Sequence, residues 1–258
     1  MPDLIHERRG DIAWITFNRP EARNALTFAM YEELARICEE ANQDETLRVI
    51  VLRGAGEKAF ASGTDINQFR AFKTPQDALD YEGRIDRILT ALEQCRVPTI
   101  AAIAGACTGG GAGIAACCDM RIAARNAKFG FPIARTLGNT LSSASLSRVT
   151  SLIGAARVKD IVFTARLIDA EEAARIGLVT ELLDDLPALE KRAEELAKTV
   201  AGNAPLTLRS TKEGLRRLQN RLSREEAQDL ILMCYMSEDF REGMDAFLNK
   251  RPPQWKGR

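Results

Sequence analysis

The chain predicts an α/β fold with right-handed crossovers, and three observations carry that prediction. Val49-Ile50-Val51-Leu52 and Thr99-Ile100-Ala101-Ala102-Ile103 are continuous apolar runs, the pattern of strands buried on both faces. Segments of helical period lie between and beside those runs. Beyond about residue 140 the pattern becomes mostly helical.

In chain order, Ile12–Phe17 reads as a strand, ended by Asn18-Arg19-Pro20. Thr27 to Asn42 reads as a helix, with Met30, Leu34, Ile37, Cys38 and Ala41 on one face. Thr74-Pro75 opens a second helix whose apolar positions are Tyr81, Ile85, Ile88, Leu89 and Leu92. A third helix starts at Gly109, and Met120–Ala123 is a short strand. Asp169-Ala170-Glu171-Glu172 and Ser223-Arg224-Glu225-Glu226 have the form of capping boxes. Leu186, Leu189, Ala193, Leu196 and Val200 make one helical stripe, with Gly202 as its C-cap. No internal repeat or long linker is visible, and the C-terminal helices are predicted to pack within the chain.

Composition removes several function classes. The 258 residues suit one large domain or two small ones. Lys plus Arg (36) balances Asp plus Glu (36), and no basic tract stands out, so no nucleic-acid partner is expected. Val97 to Cys118 is uncharged, long enough to span a bilayer, and includes Gly105-x-x-x-Gly109. It is mostly Ala and Gly with Pro98 near its start, so a buried strand followed by a helix explains it and no membrane is invoked. The six cysteines show no C-x-x-C pair and read as buried small residues of a reducing compartment. The polar start, Met1 to Gly10, is unlike a signal peptide, and the cytoplasm is the expected location. His6 is the single histidine, which excludes a Ser-His-Asp triad and histidine-rich zinc sites; no metal ligand set is predicted.

Two segments remain that carry chemistry: Lys58 to Ile66, containing Ser62-Gly63-Thr64-Asp65, and Gly105 to Gly113, containing Gly109-Gly110-Gly111. Each sets glycine where a bare backbone N–H can reach a ligand. Two such groups converging on a carbonyl oxygen would stabilise the negative charge that develops there. Taken alone, the second segment could serve only close packing of helix on sheet. It also matches a dinucleotide fingerprint at Gly111-x-Gly113-x-x-Ala116, but no acidic residue follows at the required distance; the chain there reads Phe129-Gly130-Phe131-Pro132-Ile133.

Along almost its whole length the chain resembles the crotonase, or enoyl-CoA hydratase/isomerase, superfamily. The resemblance rests on Asn18 to Leu26, Lys58 to Ile66, Gly109-Gly110-Gly111, Cys118 to Ala123 and Phe129-Gly130-Phe131-Pro132. It continues through Leu152 to Arg157, Phe163 to Arg166, Ala173 to Val179, Lys212-Glu213-Gly214 and Ser237 to Gly243. It implies a spiral core of ββα turns over residues 1–197, followed by a helical trimerisation region over 198–258. It also implies a homotrimer or dimer of trimers, a coenzyme A thioester as substrate, and no permanently bound cofactor. The family's oxyanion donors fall on the N–H groups of Thr64 and Gly110. Ala22, Arg23, Ala61, Ser62, Gly63, Ile66, Gly109 and Ile133 fall at substrate-binding positions, and Asp65 is expected to cap the next turn.

The chain departs from the family at two places. Hydratases of the family carry a glutamate at the position of Gly113 and another at that of Ile133. Adding water to a double bond needs a base for the water and a proton for the α carbon, which glycine and isoleucine cannot supply. Gly138 lies one residue late against the family spacing, so this loop is remodelled. Polar candidates nearby are Arg135, Thr136, Asn139, Ser142 and Ser143, with Arg135 either a carboxylate ligand or a surface residue. The expectation is an enzyme of enolate stabilisation, such as a lyase or isomerase. The alternatives are a hydratase with a substitute base or an acyl-CoA-binding protein without turnover.

Overall fold

The structure, a computed structural model, describes residues 1–219, 232 and 235–254. The box proposed at Ser223 and the thiol of Cys234 lie outside the described residues.

Among the described residues ten strands form two sheets. β1 (Leu4–Arg9), β2 (Ile12–Phe17), β3 (Val49–Gly54), β5 (Thr99–Ile103), β7 (Met120–Ala124) and β10 (Glu181–Leu183) make a six-stranded sheet in that order. It is parallel except for the β1–β2 hairpin. The smaller sheet runs β4 (Ala59–Ala61), β6 (Ala106–Thr108), β8 (Lys128–Gly130) and β9 (Ile168–Asp169). The chain alternates between the sheets: β3 then β4, β5 then β6, β7 then β8. After the first two pairs a helix returns it, namely α2 (Pro75–Glu93) and α3 (Gly110–Cys117). The ββα turn is thus a structural repeat with no counterpart as a sequence repeat.

Period two explains why the large-sheet strands read as unbroken apolar runs. Ala13, Ile15, Ile50, Leu52, Ala101 and Ile103 face a core shared with α1 (Phe28–Ala41), α2 and α3. Ile12, Trp14, Val49, Val51, Ile100 and Ala102 face the opposite side, covered by α8 (Leu186–Ala201) through Leu189, Ala193, Leu196 and Val200. The stripe read from the sequence is therefore the contact stripe of α8. That helix runs unbroken past residue 197, so a boundary there would cut an element packed on the core. Gly202 does occupy the C-cap, but in a right-handed conformation (φ −74°, ψ −9°) that needs no glycine.

Other local expectations are adjusted by partners distant in sequence. The polar N-terminus is strand β1, with only Leu4 buried, as suits an edge strand whose outer side meets water. Thr27 caps α1 by accepting from the Met30 N–H, and Thr74 with Asp77 makes a reciprocal capping box on α2. Asp169 caps α7 (Ala170–Arg175), but the Glu172 carboxylate turns to Arg166 at 2.7 Å instead of completing the box. A charge-assisted pair outweighs a single bond to a backbone N–H.

Among the described residues several helices follow residue 130. They are α4 (Ile133–Thr136), α5 (Ser143–Ile153), α6 (Ala155–Thr164), α7, α8, α9 (Pro205–Gln219) and α10 (Glu238–Leu248). α9 is fastened by Lys212, which donates to Asp119 at 2.7 Å and to the Val97 carbonyl at 3.3 Å. α10 packs so closely on the end of α4 that a methyl on Gly243 would lie 2.5 Å from the Leu137 carbonyl oxygen. With Tyr235, it places Phe240 in a small core with Phe69, Ala78 and Leu137. These C-terminal helices therefore pack within the chain. Among the described residues no helix is long and apolar enough to cross a membrane.

Candidate active site

The C-terminal ends of β4 and β6 lie side by side because the two strands pair in parallel. The residues leaving them, Ser62–Ile66 and Thr108–Gly110, line one cavity of about 550 Å³. Beyond β4 the chain bridges to Leu26: the Leu26 N–H donates to the Gly63 carbonyl at 2.8 Å, and the Asp65 N–H to the Leu26 carbonyl at 2.9 Å. Successive peptides of an extended chain alternate in direction, so the Thr64 N–H points away from Leu26. Beyond β6, Gly109 adopts φ 51° and ψ −121°, which turns the chain from strand into α3. Gly110 is the first residue of that helix, so its N–H has no intrahelical acceptor and sits at the positive end of the macrodipole. Among the described residues neither the Thr64 nor the Gly110 N–H donates to a protein acceptor.

The two segments touch. A methyl placed on Gly109 would lie 3.4 Å from Gly63 Cα, and one on Gly110 would lie 3.1 Å from Thr64 Oγ1. That second methyl would also come 1.9 Å from the Tyr31 hydroxyl, so Gly110 is glycine because a phenol occupies its side-chain space. Tyr31 on α1 and Tyr81 on α2 reach Thr64 Oγ1 at 3.0 and 3.3 Å. Burial raises the pKa of both phenols, so they stay protonated through the ordinary pH range. They hold Thr64 by hydrogen bonds and offer no base.

The structure sorts the positions named from the sequence. Ala22, Ser62, Gly63, Thr64, Asp65, Ile66, Gly109, Gly110 and Ile133 line the cavity. Arg23 and Ala61 do not. Arg23 is exposed, and Ala61 is buried behind the wall, its carbonyl oxygen 2.2 Å from where a Gly111 methyl would stand. Asp65 accepts from the Asn67 N–H at 3.1 Å and pairs with Arg19 at 3.2 Å, so its carboxylate is held by the loop it starts. Gly113 and Ile133 both line the cavity, and this stretch of its surface is apolar, continued by Ile85, Leu89 and Phe131.

The remodelled loop behaves differently from its sequence appearance. Arg135 is exposed and off the cavity, because the single turn of α4 points it outward. Thr136, Asn139 and Ser142 line the cavity; the two hydroxyls are engaged, whereas Asn139 Oδ1 is buried and meets no hydrogen-bond donor among the described residues. Thr136 Oγ1 donates to the Pro132 carbonyl (3.0 Å) and Asn139 Nδ2 to the Tyr235 hydroxyl (3.3 Å). Ser142 Oγ donates to Asp86 at 2.8 Å while accepting from the Ser145 N–H as the cap of α5. Ser143 begins α5 and lies off the cavity.

Sequence reasoning missed five lining residues: Tyr31, Glu82, Tyr235, Phe247 and Leu248. Glu82 is 6% exposed and accepts a hydrogen bond from the Tyr235 hydroxyl. It was detectable, because Ala78, Glu82, Ile85, Leu89 and Leu92 form a helical stripe, and the buried face of α2 carries two carboxylates, Glu82 and Asp86. Tyr235 and α10 carried no such mark. Among the described residues no cluster of three or more His, Cys, Asp or Glu is placed to hold a metal ion.

Comparison with known proteins bears on this geometry. The family model described as enoyl-CoA hydratase/isomerase matches residues 7–258. A short-chain-enoyl-CoA hydratase of Clostridium acetobutylicum is 34% identical, over 96% of this chain and 95% of its own. Among solved structures, an enoyl-CoA hydratase/carnithine racemase from Magnetospirillum magneticum superimposes with TM-score 0.80 at 35% identity, covering 100% of this chain and 97% of the other. A methylmalonyl-CoA decarboxylase in complex with 2-nitronate-propionyl-CoA superimposes with TM-score 0.90 at 28% identity, covering 100% and 99%.

Proposed function

The chain belongs to the enoyl-CoA hydratase/isomerase family, and from that premise we propose that it binds a coenzyme A thioester and stabilises its enolate between the N–H groups of Thr64 and Gly110. One observation carries the reading: two undonated amides, from adjoining segments, line a single cavity. When the α carbon of a thioester loses a proton or a carboxyl group, the electron pair moves into the C–C bond and the charge settles on the thioester oxygen. Donors already fixed by the sheets need no reorganisation to receive that charge. The protonated phenols of Tyr31 and Tyr81 keep Thr64 in place and add no competing charge.

The family's hydration chemistry is the part this chain lacks. With Gly113 and Ile133 in the cavity, no side chain at those two positions can activate water. Double-bond isomerisation or decarboxylation, each passing through the enolate, suits the site better. The structural likeness to a methylmalonyl-CoA decarboxylase supports keeping decarboxylation in the set. Arg135 gives no support for a carboxylate clamp, since it faces outward. The reaction needs no resident cofactor. A homotrimer or dimer of trimers is proposed with it, α9 offering exposed Leu206 (74%) and Leu215 (56%) to a neighbouring copy.

The test uses two substrates. A saturated acyl-CoA in D2O should exchange its α protons, read by mass spectrometry, and crotonyl-CoA should lose its conjugated absorbance only slowly. Rapid hydration of crotonyl-CoA would overturn the account of the missing pair. Tight thioester binding with neither exchange nor turnover on any acyl-CoA would leave a binding protein.

A further inference from the structure

We propose that Glu82 is the group that moves the α proton, a catalytic carboxylate placed on α2 instead of at either family position. The inference rests on the enolate reading above. Two carboxylates line the cavity among the described residues, Asp65 and Glu82. Both are held by neighbours: Asp65 by the Asn67 N–H and Arg19 on the loop it starts, and Glu82 on α2 by the Tyr235 hydroxyl. The phenols of Tyr31, Tyr81 and Tyr235 are all buried and all raised in pKa by that burial, with the Glu82 charge a further cause in each. They therefore keep their protons, and Glu82 meets one of them directly, accepting from the Tyr235 hydroxyl.

Position along α2 explains how a carboxylate could take over. Leu89 is the residue of α2 that faces Gly113, its Cδ1 3.7 Å from where a Gly113 methyl would stand. Glu82 lies two turns earlier on the same face, about 10 Å along the helix at 1.5 Å per residue. It adjoins Tyr81, which touches Thr64 at 3.3 Å. A chain of side-chain bonds fixes it from behind: Asn139 Nδ2 donates to the Tyr235 hydroxyl, and that hydroxyl donates to Glu82 Oε1. The loop that lost the family glutamate at position 133 thus supplies, through Asn139, part of the support for Glu82.

The step balances simply. The α C–H bond breaks, its proton goes to a Glu82 oxygen, and its electron pair becomes the enolate held at Thr64 and Gly110. The reverse step returns a proton, drawn from solvent once the carboxyl group has exchanged. A group that protonates the α carbon after decarboxylation must also remove that proton in the reverse direction, so α-proton exchange reports Glu82 whichever overall reaction is native.

The experiment is α-proton exchange of a saturated acyl-CoA in D2O by the full chain. It compares wild type, Glu82→Gln, Glu82→Asp and the double variant Tyr31→Phe/Gly110→Pro, with thioester affinity and melting temperature measured on each. Loss of a general base should cut exchange by at least about 100-fold in Glu82→Gln while affinity stays within threefold. Exchange within threefold of wild type in folded Glu82→Gln overturns the assignment. Should that variant not fold, Glu82→Asp decides: it keeps the charge but withdraws it by one methylene, and a drop of tenfold or more is expected, whereas unchanged exchange overturns. Exchange lost in the Gly110 variant but kept in Glu82→Gln removes Glu82 and keeps the amide pair. The converse keeps Glu82 and removes the pair, and wild type without exchange on any thioester overturns both.

Discussion

The two walls of the cavity are made of different material. One is main chain: the ends of β4 and β6, pinned by the Leu26 bridge and by the Gly109 N–H bond to the Gly130 carbonyl at 3.0 Å. The other is side chain: Tyr81, Glu82, Ile85 and Leu89 from α2, with Ile133 and Leu137 from the loop and Tyr235 beyond. The main-chain wall can change only if the sheets change. The side-chain wall can change one residue at a time, and here it carries Ile133, with Gly113 of α3 also lining the cavity. A fold can therefore keep the group that stabilises charge while exchanging the groups that move protons.

The largest test of this contrast deletes a donor from the first wall. Proline suits the first position of a helix and removes the Gly110 N–H. Its ring would strike the Tyr31 hydroxyl, so the substitution belongs on a Tyr31→Phe background. Tyr31→Phe alone should cost little beyond loosening Thr64. The double variant should lose about 3–4 kcal/mol of transition-state stabilisation, as when one oxyanion donor is removed elsewhere. Full activity of a folded double variant, measured as kcat/KM, would take this amide out of the mechanism.

The second test rebuilds the other wall. A side chain at Gly113 meets only Leu89 Cδ1 at 3.7 Å, an ordinary contact, and Ile133 already points into the cavity. The double substitution Gly113→Glu/Ile133→Glu should raise crotonyl-CoA hydration by at least about tenfold, a modest share of what positioned acid–base groups supply. The gain should vanish when Gly110→Pro and Tyr31→Phe are added. No gain in a variant that folds and binds thioester would mean that the second wall has been reshaped beyond its two missing carboxylates.

The first wall was legible in sequence and most of the second was not, for a physical reason. Gly63, Gly109 and Gly110 act through backbone geometry, which a local run of residues determines, so their pattern survives in the string. Glu82, Tyr235 and Asn139 meet through tertiary packing, with Tyr235 and Glu82 153 positions apart in the chain. Nothing local to any one of them announces the others. Of the large-sheet strands, β2, β3, β5 and β7 were visible because their faces are buried on both sides, whereas the half-buried β10 was not. The short strands β4, β6, β8 and β9 were hidden, being two or three residues long and too short to show a period. Arg135 misled because its charge was readable and its outward direction was not.

The smallest expected effect concerns what lies beneath the first wall. Cys107 on β6, Cys117 at the end of α3 and Cys118 after it are buried, and burial raises all three thiols, Cys117 to about 12. A thiol raised in the folded state binds its proton more tightly there than in the unfolded chain, whose cysteines titrate near about 8.5. The stability these thiols contribute is therefore complete below that value and is lost progressively as pH rises toward 12. The melting temperature should fall between pH 9 and pH 11, and Cys117→Ala should make that fall shallower while costing some stability at neutral pH. Equal slopes for wild type and Cys117→Ala would mean that this thiol is not part of the alkaline loss. A flatter slope would tie the rigidity of the main-chain wall to the neutral thiols packed behind it.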